Sequence, residues 1–242
     1  MNLVEPADGT AEARRRLAPR IIDTDWLVLR AMRRVLERLA REVGRPGATA
    51  LDFGCGVRPY APLFAAHGCS YVGADLGEGA EVAIGADGRL AAADASADLV
   101  LSFQVLEHVR DLETYFAEAH RVLRADGSLI LSTHGTWLYH PHPEDHRRWT
   151  RTGLIGEIER NGFEVLGVDS LVGPLAWTTM IRLTSLCFVL RKLPLFGGAL
   201  GALAAAAMNA RAWIEEQITP RSVTADNACV YVVLCRRSAP AR

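Results

Sequence analysis

The segment Ala50-Leu51-Asp52-Phe53-Gly54-Cys55-Gly56 constrains the fold more than any other, because it reads as a buried strand running into a turn with two glycines. Ala50, Leu51 and Phe53 supply the apolar strand. Gly54 and Gly56 let the backbone turn sharply with no Cβ in the way, and Asp52 sets a carboxylate at the carboxyl end of the strand, where open α/β sheets bind ligands. A dinucleotide fingerprint would carry a third glycine where this chain has Pro59. A pyrophosphate also requires an uncluttered helix N-terminus, whereas this turn leads into Val57-Arg58-Pro59-Tyr60. The turn therefore suits a nucleoside with an amino-acid tail and no phosphate. On the glycines alone, an ordinary strand-to-helix turn is the competing reading.

Further strands follow in a specific order. Tyr71-Val72-Gly73-Ala74-Asp75 is a second short apolar strand ending in an acid, and Asp75 stands 19 residues beyond Gly56, the distance at which a strand–helix–strand unit returns a carboxylate to ribose hydroxyls. Ala86-Asp87-Gly88 precedes Leu90 and the turn-like Ala93-Asp94-Ala95-Ser96. Asp98 to Phe103 is then a third apolar strand leading into Gln104-Val105-Leu106-Glu107-His108-Val109.

From about Thr49 to Thr133 this order resembles the class I S-adenosylmethionine-dependent methyltransferases, whose strands read like D-x-G-C-G, V-G-x-D and S-x-x-V-L-E-H-V. The resemblance implies a Rossmann-like, doubly wound, seven-stranded and mostly parallel sheet with S-adenosylmethionine as cofactor. It assigns the methionine moiety to Asp52, Gly54 and Gly56, the ribose to Asp75 and the adenine amine to Asp87; Phe53, Cys55, Leu76, Gly88, Phe103 and Gln104 complete the cofactor set. Ala91-Ala92 replaces the usual Pro-Phe, which removes apolar packing beside the adenine but no polar contact.

Length and charge agree. A chain of 242 residues, half of them apolar, can bury one large core. The economical division is an N-terminal helical cap over residues 1–46 and a cofactor-binding domain over 47–242. A net charge of −1 gives no basic field for nucleic acid, so no nucleic-acid partner is expected. Five scattered cysteines without a C-x-x-C pair suggest neither a disulfide framework nor structural zinc, and Met1 to Thr10 lacks a basic stretch followed by an apolar run; the expected location is cytoplasmic.

Asp25 to Val43 places Trp26, Leu29, Met32, Leu36, Leu39 and Val43 at three- and four-residue steps, a helix stopped by Gly44 and Pro46 that covers one face of the sheet or lies over the cofactor. Asp111 caps a helix carrying Tyr115, Phe116, Ala119, Val122 and Leu123 inward, which Gly127 is expected to end before a strand over Ser128 to Ser132.

The run from His134 to Thr150 begins where that strand ends, on the ligand side, and holds four of the seven histidines. Within the family, His140-Pro141-x-Pro143-x-Asp145-x-x-Arg148-Trp149-Thr150-x-x-Gly153-Leu154 is similar to a subgroup associated with glycan, lipid-linked sugar and secondary-metabolite modification. Tyr139, Asp145, Arg148 and Trp149 are the candidate acceptor-binding residues. In the structural alternative Asp145 pairs with Arg148, Trp149 packs in the core and Thr150 caps a helix. The implied acceptor is a small molecule, a sugar or a lipid-linked glycan.

In-line methyl transfer mainly requires that nucleophile, carbon and sulfur be held in line. A hydroxyl nucleophile also needs a base, and His108, His134 and His140 are the candidates, in that order of closeness to the cofactor by strand ends. Some quinone-precursor O-methyltransferases hold a divalent ion on E-x-x-E-H at this position. Here Gln104 replaces the first acid, so no metal is expected and Glu107 reads as a cap or ion-pair partner. A cofactor-binding, non-catalytic partner protein is the alternative from another class, and metal-assisted O-methylation a further one.

Phe163 to Val168 begins the sixth strand and Ala228 to Cys235 is the last, so a helical insertion over about 170–220 interrupts what would be a hairpin. Leu171 to Ile214 is apolar, but no transmembrane helix is expected; the favoured reading is a lid or homodimer surface, with peripheral membrane contact the alternative.

Overall fold

The computed structural model describes residues 9–77, 79–141 and 144–238; His142 and Pro143 of the histidine-rich run lie outside them, as do residues 1–8. The elements follow in the order α1 (Gly9–Leu17), α2 (Trp26–Val43), β1 (Thr49–Phe53), α3 (Ala61–Ala65), β2 (Ser70–Asp75), β3 (Val82–Ala83), β4 (Ala97–Phe103), α4 (Leu112–Val122), β5 (Leu123–His134), α5 (Arg151–Arg160), β6 (Phe163–Leu171), α6 (Pro174–Leu190), α7 (Gly197–Ile218), α8 (Arg221–Asp226) and β7 (Val230–Arg237).

One sheet of seven strands runs in the order β3-β2-β1-β4-β5-β7-β6. The first five are parallel, and β7 inserts antiparallel between β5 and β6. This is the doubly wound, mostly parallel sheet that the strand order implied. Its switch point lies between β1 and β4, and open sheets of this kind bind ligands at the carboxyl ends of such strands.

Both faces are covered, and period-2 alternation sorts the strand residues between them. Leu99, Leu101, Ile130, Val230 and Val232 join α2 and α6 on one face; Leu51, Phe53, Val100, Leu129, Leu131 and Val233 join α4 and α5 on the other. Helix α2 sets Met32, Leu36 and Leu39 into the first core, and each is almost completely buried. It therefore covers a sheet face, and the N-terminal cap expected over 1–46 shares its core with the strands. Truncating Leu36 to alanine would cost about 3 kcal/mol.

Asp111 caps α4 by accepting from the Thr114 amide. That helix ends earlier than its composition predicts, at Val122, and Leu123 to Gly127 already belong to β5. The cause is tertiary: Leu123 pairs with Ala97 of β4 and is fully buried, and a Cβ at Gly127 would come within 2.7 Å of the Asp98 carbonyl. Gly127 serves close strand approach rather than helix termination. Likewise β6 runs on to Leu171 and β7 starts at Val230, in register Leu171 with Val230.

Between β6 and β7 the insertion folds as an antiparallel pair, α6 and α7, followed by the short α8. No helix among the described residues is long and apolar enough to cross a membrane.

Candidate active site

The two-glycine turn sits where β1 ends. Gly54 has φ +85°, and a Cβ there would meet the Val105 side chain at 2.6 Å, so only glycine lets the loop after β4 approach. The Asp75 carboxylate closes the turn from β2, accepting from the Gly56 amide at 2.7 Å and from the Leu76 amide at 2.7 Å. Asp52 is buried at the end of β1. Tyr71 donates to its Oδ2, while its Oδ1 has no hydrogen-bond partner among the described residues. Burial pushes the Asp52 carboxyl up to about 7, opposed by the Tyr71 hydrogen bond. A buried acceptor with a spare lone pair, on the strand that leads into the glycine turn, fits a ligand that carries positive charge.

The remaining cofactor candidates divide into backbone and side-chain roles. Phe53 stacks on Tyr115 at 4.8 Å, and Phe103 packs edge-on to Tyr60, so both rings are core and any role toward a cofactor falls to their backbones. Cys55 is buried, and burial raises its thiol to about 11. Leu76 is exposed at the rim. Asp87 stands exposed with Gly88 in a turn closed by the Gly85 and Arg89 backbones, its carboxylate facing solvent and Arg89. Gln104 follows β4 with φ +60°, an uncommon backbone for a non-glycine residue, held by bonds to the Ser132 carbonyl and hydroxyl.

One strand further, Glu107 and the last residue of β5, His134, meet inside the protein. Glu107 Oε1 lies 2.8 Å from His134 Nδ1 in a close but bent contact, and Glu107 Oε2 accepts from the Thr133 hydroxyl at 2.9 Å. Burial alone would favour a neutral acid, yet His134 holds the Glu107 carboxyl below its ordinary range. The His134 ring stacks on Trp137 at 4.8 Å, and Trp137 stacks at 4.8 Å on Trp177 of α6. His140 packs edge-on to His134 at 4.9 Å and to His108 at 5.0 Å; His108 Nδ1 lies 2.6 Å from the Glu144 carbonyl. Burial, then the neighbouring His134 and His108, push His140 down to about 4. The three candidate bases thus form one row of imidazoles. Glu107, His134 and His140 also place one donor atom each within 4.8 Å of one another, a geometry that could accept an ion.

The loop that carries this row is held by its own ion pair. Asp145 takes both terminal nitrogens of Arg148, at 2.5 and 2.7 Å, and accepts from the His140 amide at 2.9 Å. Arg148 also donates to the Trp137 and Leu138 carbonyls, and this guanidinium keeps the Asp145 carboxyl far below the usual carboxylate range. Trp149 packs against the α4–α5 core while its amide donates to the His134 carbonyl. Thr150 caps α5. Of the four candidate acceptor contacts, Tyr139 alone stands free at the rim, 71% exposed. Three contributors carried no sequence signal: Tyr71 on Asp52, Thr133 on Glu107, and Trp177 as the outer member of the ring stack.

Fold and site together define a Rossmann-like nucleoside-cofactor protein of the methyltransferase class. The methyltransferase domain family matches residues 27–168, and the chain belongs to that family, whose cofactor is S-adenosylmethionine. A protein of Mycolicibacterium smegmatis described as a "probable S-adenosylmethionine-dependent methyltransferase" is 30% identical over 148 residues, 54% of this chain and 57% of its own length. The ubiquinone biosynthesis O-methyltransferase of Pseudomonas paraeruginosa is 31% identical over 106 residues, 37% of this chain and 46% of its own. The chain thus spans about half the length of the curated relatives it matches. Among solved structures, Burkholderia thailandensis 1,6-didemethyltoxoflavin-N1-methyltransferase, with bound 1,6-didemethyltoxoflavin and S-adenosylhomocysteine, superposes with a TM-score of 0.51 at 19% identity, covering 86% of this chain and 79% of that one; it shares the fold.

Proposed function

We propose that this chain transfers the methyl group of S-adenosylmethionine to a hydroxyl of a small-molecule, sugar or lipid-linked glycan acceptor, with His134 as general base. The observation that carries the reading is the buried Glu107–His134 contact at the carboxyl edge of β4 and β5, beside the cofactor turn. The bound cofactor supplies an electrophilic methyl on a sulfonium, and Asp52, Asp75, Asp87 and the Gly54–Gly56 turn are the residues that would hold it. Asp52 offers its spare oxygen to positive charge, while Asp75 can exchange a backbone amide for ribose hydroxyls.

Forming the ether bond releases the acceptor's proton, and the row of imidazoles decides where it goes. His140 is the more accessible, with 30% of its side chain exposed, but a group held at about 4 is a weak acceptor near neutral pH. His134 has an ionised carboxylate 2.8 Å behind it, which stabilises imidazolium as it forms. Its side chain is only 3% exposed, so an acceptor reaches it when the His140 or Trp137–Trp177 cover moves. Asp145 and Arg148 act by holding that cover, and Tyr139 meets the acceptor at the rim. The O-methyltransferase name of the Pseudomonas relative supports oxygen as nucleophile.

The test is release of S-adenosylhomocysteine with matched hydroxyl and amine acceptors. Turnover with hydroxyls that is lost in His134→Ala is expected. Turnover with amines alone would overturn the assignment to oxygen, and cofactor binding with no turnover on any acceptor would favour a non-catalytic partner protein.

A further inference from the structure

From Ser170 to Ile214 the chain has 45 residues without one aspartate or glutamate, while Arg182, Arg191, Lys192 and Arg211 fall inside it, in a protein whose net charge is −1. The α6–α7 pair built from this run is apolar on its outside as well as its inside. Phe196, Leu200, Leu203, Ala207, Ala210 and Ile214 recur at steps of four and three residues along α7, and all are exposed. Of the seventeen large apolar side chains exposed among the described residues, eleven lie between Leu175 and Ile218.

The inner face is made of small residues. Gly197, Gly201 and Ala205 are buried at four-residue spacing, a Cβ on Gly197 would meet the Leu190 carbonyl at 2.3 Å, and the Cys187 Sγ reaches the Gly201 carbonyl at 3.5 Å. On α7 the residues turned to α6 are small, so its large side chains Leu200, Leu203 and Ile214 are left on the outer face, while α6 buries Trp177, Met180 and Leu183 against the rest of the protein. At the tip, Leu195 is 95% exposed and sits at φ +65°, in the left-handed region that leucine rarely adopts, so the turn presents this side chain outward. Arg191 and Lys192 stand directly before it.

We infer that the outer face of α6–α7, led by the Arg191–Phe196 tip, docks on an anionic lipid bilayer. Apolar residues at a tip flanked by Arg191 and Lys192, in a run with no acid over 45 positions, match an interface of acyl chains beneath negative head groups; Arg211, at the far end, is already paired with Glu215. A second copy of this chain is the poorer match in charge, because a two-fold interface sets the same acid-free, cationic patch on both sides. The helices are too short in apolar length to cross, so the contact is peripheral.

The experiment is flotation of the full chain with vesicles of phosphatidylcholine alone and of phosphatidylcholine mixed with phosphatidylglycerol, with light scattering beside it. Recovery with the anionic vesicles, weakened by salt, is expected. The double substitution Arg191→Glu, Lys192→Glu should lower partitioning by at least about thirtyfold, and Leu195→Ser with Phe196→Ser by about tenfold or more. The stabilisation of these variants by S-adenosylhomocysteine should match that of the parent, which shows that the fold is intact. Equal recovery with neutral and anionic vesicles, unchanged recovery in the variants, or a dimer in solution that these substitutions dissociate would overturn the inference.

Discussion

Glu107 Oε1 and His134 Nδ1 stand 2.8 Å apart where solvent does not reach, joining the segment after β4 to the end of β5. The Glu107 carboxylate depends on this neighbour: a buried carboxylate without a partner would cost several kcal/mol, and removing the His134 ring would leave it with the Thr133 hydroxyl.

Turnover should therefore respond to both partners. Glu107→Gln keeps the shape and removes the charge, and is expected to lower kcat by about 10²-fold, with His134→Ala at least as severe, while S-adenosylhomocysteine affinity stays close to that of the parent. A variant pair with parental kcat would remove the base from the mechanism. The Glu107 carboxyl is held below its ordinary value, so its stabilising contribution is present above the ordinary carboxylate range and is lost as pH falls through the folded value. Glu107→Gln should flatten the acid side of a urea-midpoint-against-pH curve.

Cofactor binding has its own signature at Asp75. S-adenosylhomocysteine should raise the Tm, by an amount equivalent to about 2.7 kcal/mol at a hundred times its Kd, and Asp75→Ala should abolish the rise by removing the carboxylate on which the Gly56 amide rests. A thermal response to NAD in place of this ligand would contradict the assignment.

Asp52 adds a pH dependence. Burial raises its carboxyl to about 7, so the folded protein binds this proton more tightly than the unfolded chain does. Stability from this group is therefore lost as pH rises from about 4 towards 7. Ionisation above 7 instead creates a negative site for a cationic ligand. S-adenosylmethionine affinity should increase through this range, S-adenosylhomocysteine, which lacks the sulfonium charge, should change less, and Asp52→Asn should erase the difference. Calorimetric titration at several pH values measures this directly.

How much of this could be read from the sequence differs by residue. Leu51, Val100 and Leu131 announced buried strands because apolar runs of this length suit a sheet covered on both sides, and Gly54 announced its turn because no other residue fits there. Arg148 and Asp145, three positions apart, were a legible pair. The end of α4 was not legible: Gly127 looks like a helix stop until β4 is seen pressing on it. Strand ends ordered the imidazoles His108, His134, His140 but did not say which of them meets Glu107. That His134 faces Glu107 follows from the register that aligns Phe103 with Ser132, a relationship between strands with no local trace.

Turnover is expected to be insensitive to chelators. Glu107 already serves Thr133 and His134, and Gln104 supplies a neutral amide where a hard cation would want a second carboxylate. Loss of activity in EDTA with recovery on adding a divalent ion would instead assign an ion to Glu107, His134 and His140, and atomic absorption of the purified protein would identify it.

Trp177→Ala should lower turnover by roughly tenfold through loss of ordered cover over His134, leaving the S-adenosylhomocysteine thermal shift in place, while Trp177→Phe retains most activity by keeping a ring in the stack. Parental kinetics in Trp177→Ala would show that the stack is packing only.

Because one ring of that column comes from α6 and the next from the segment after β5, the insertion is packed into the wall around His134 and does not stand apart from it. A chimera that replaced α6 and α7 with the short hairpin of a simpler relative would strip the outer ring from the wall around His134, and one that imported a foreign helical pair would have to import a matching Trp137 segment with it. The two stretches, forty residues apart in sequence, share one column of rings, so a change in either reaches the other.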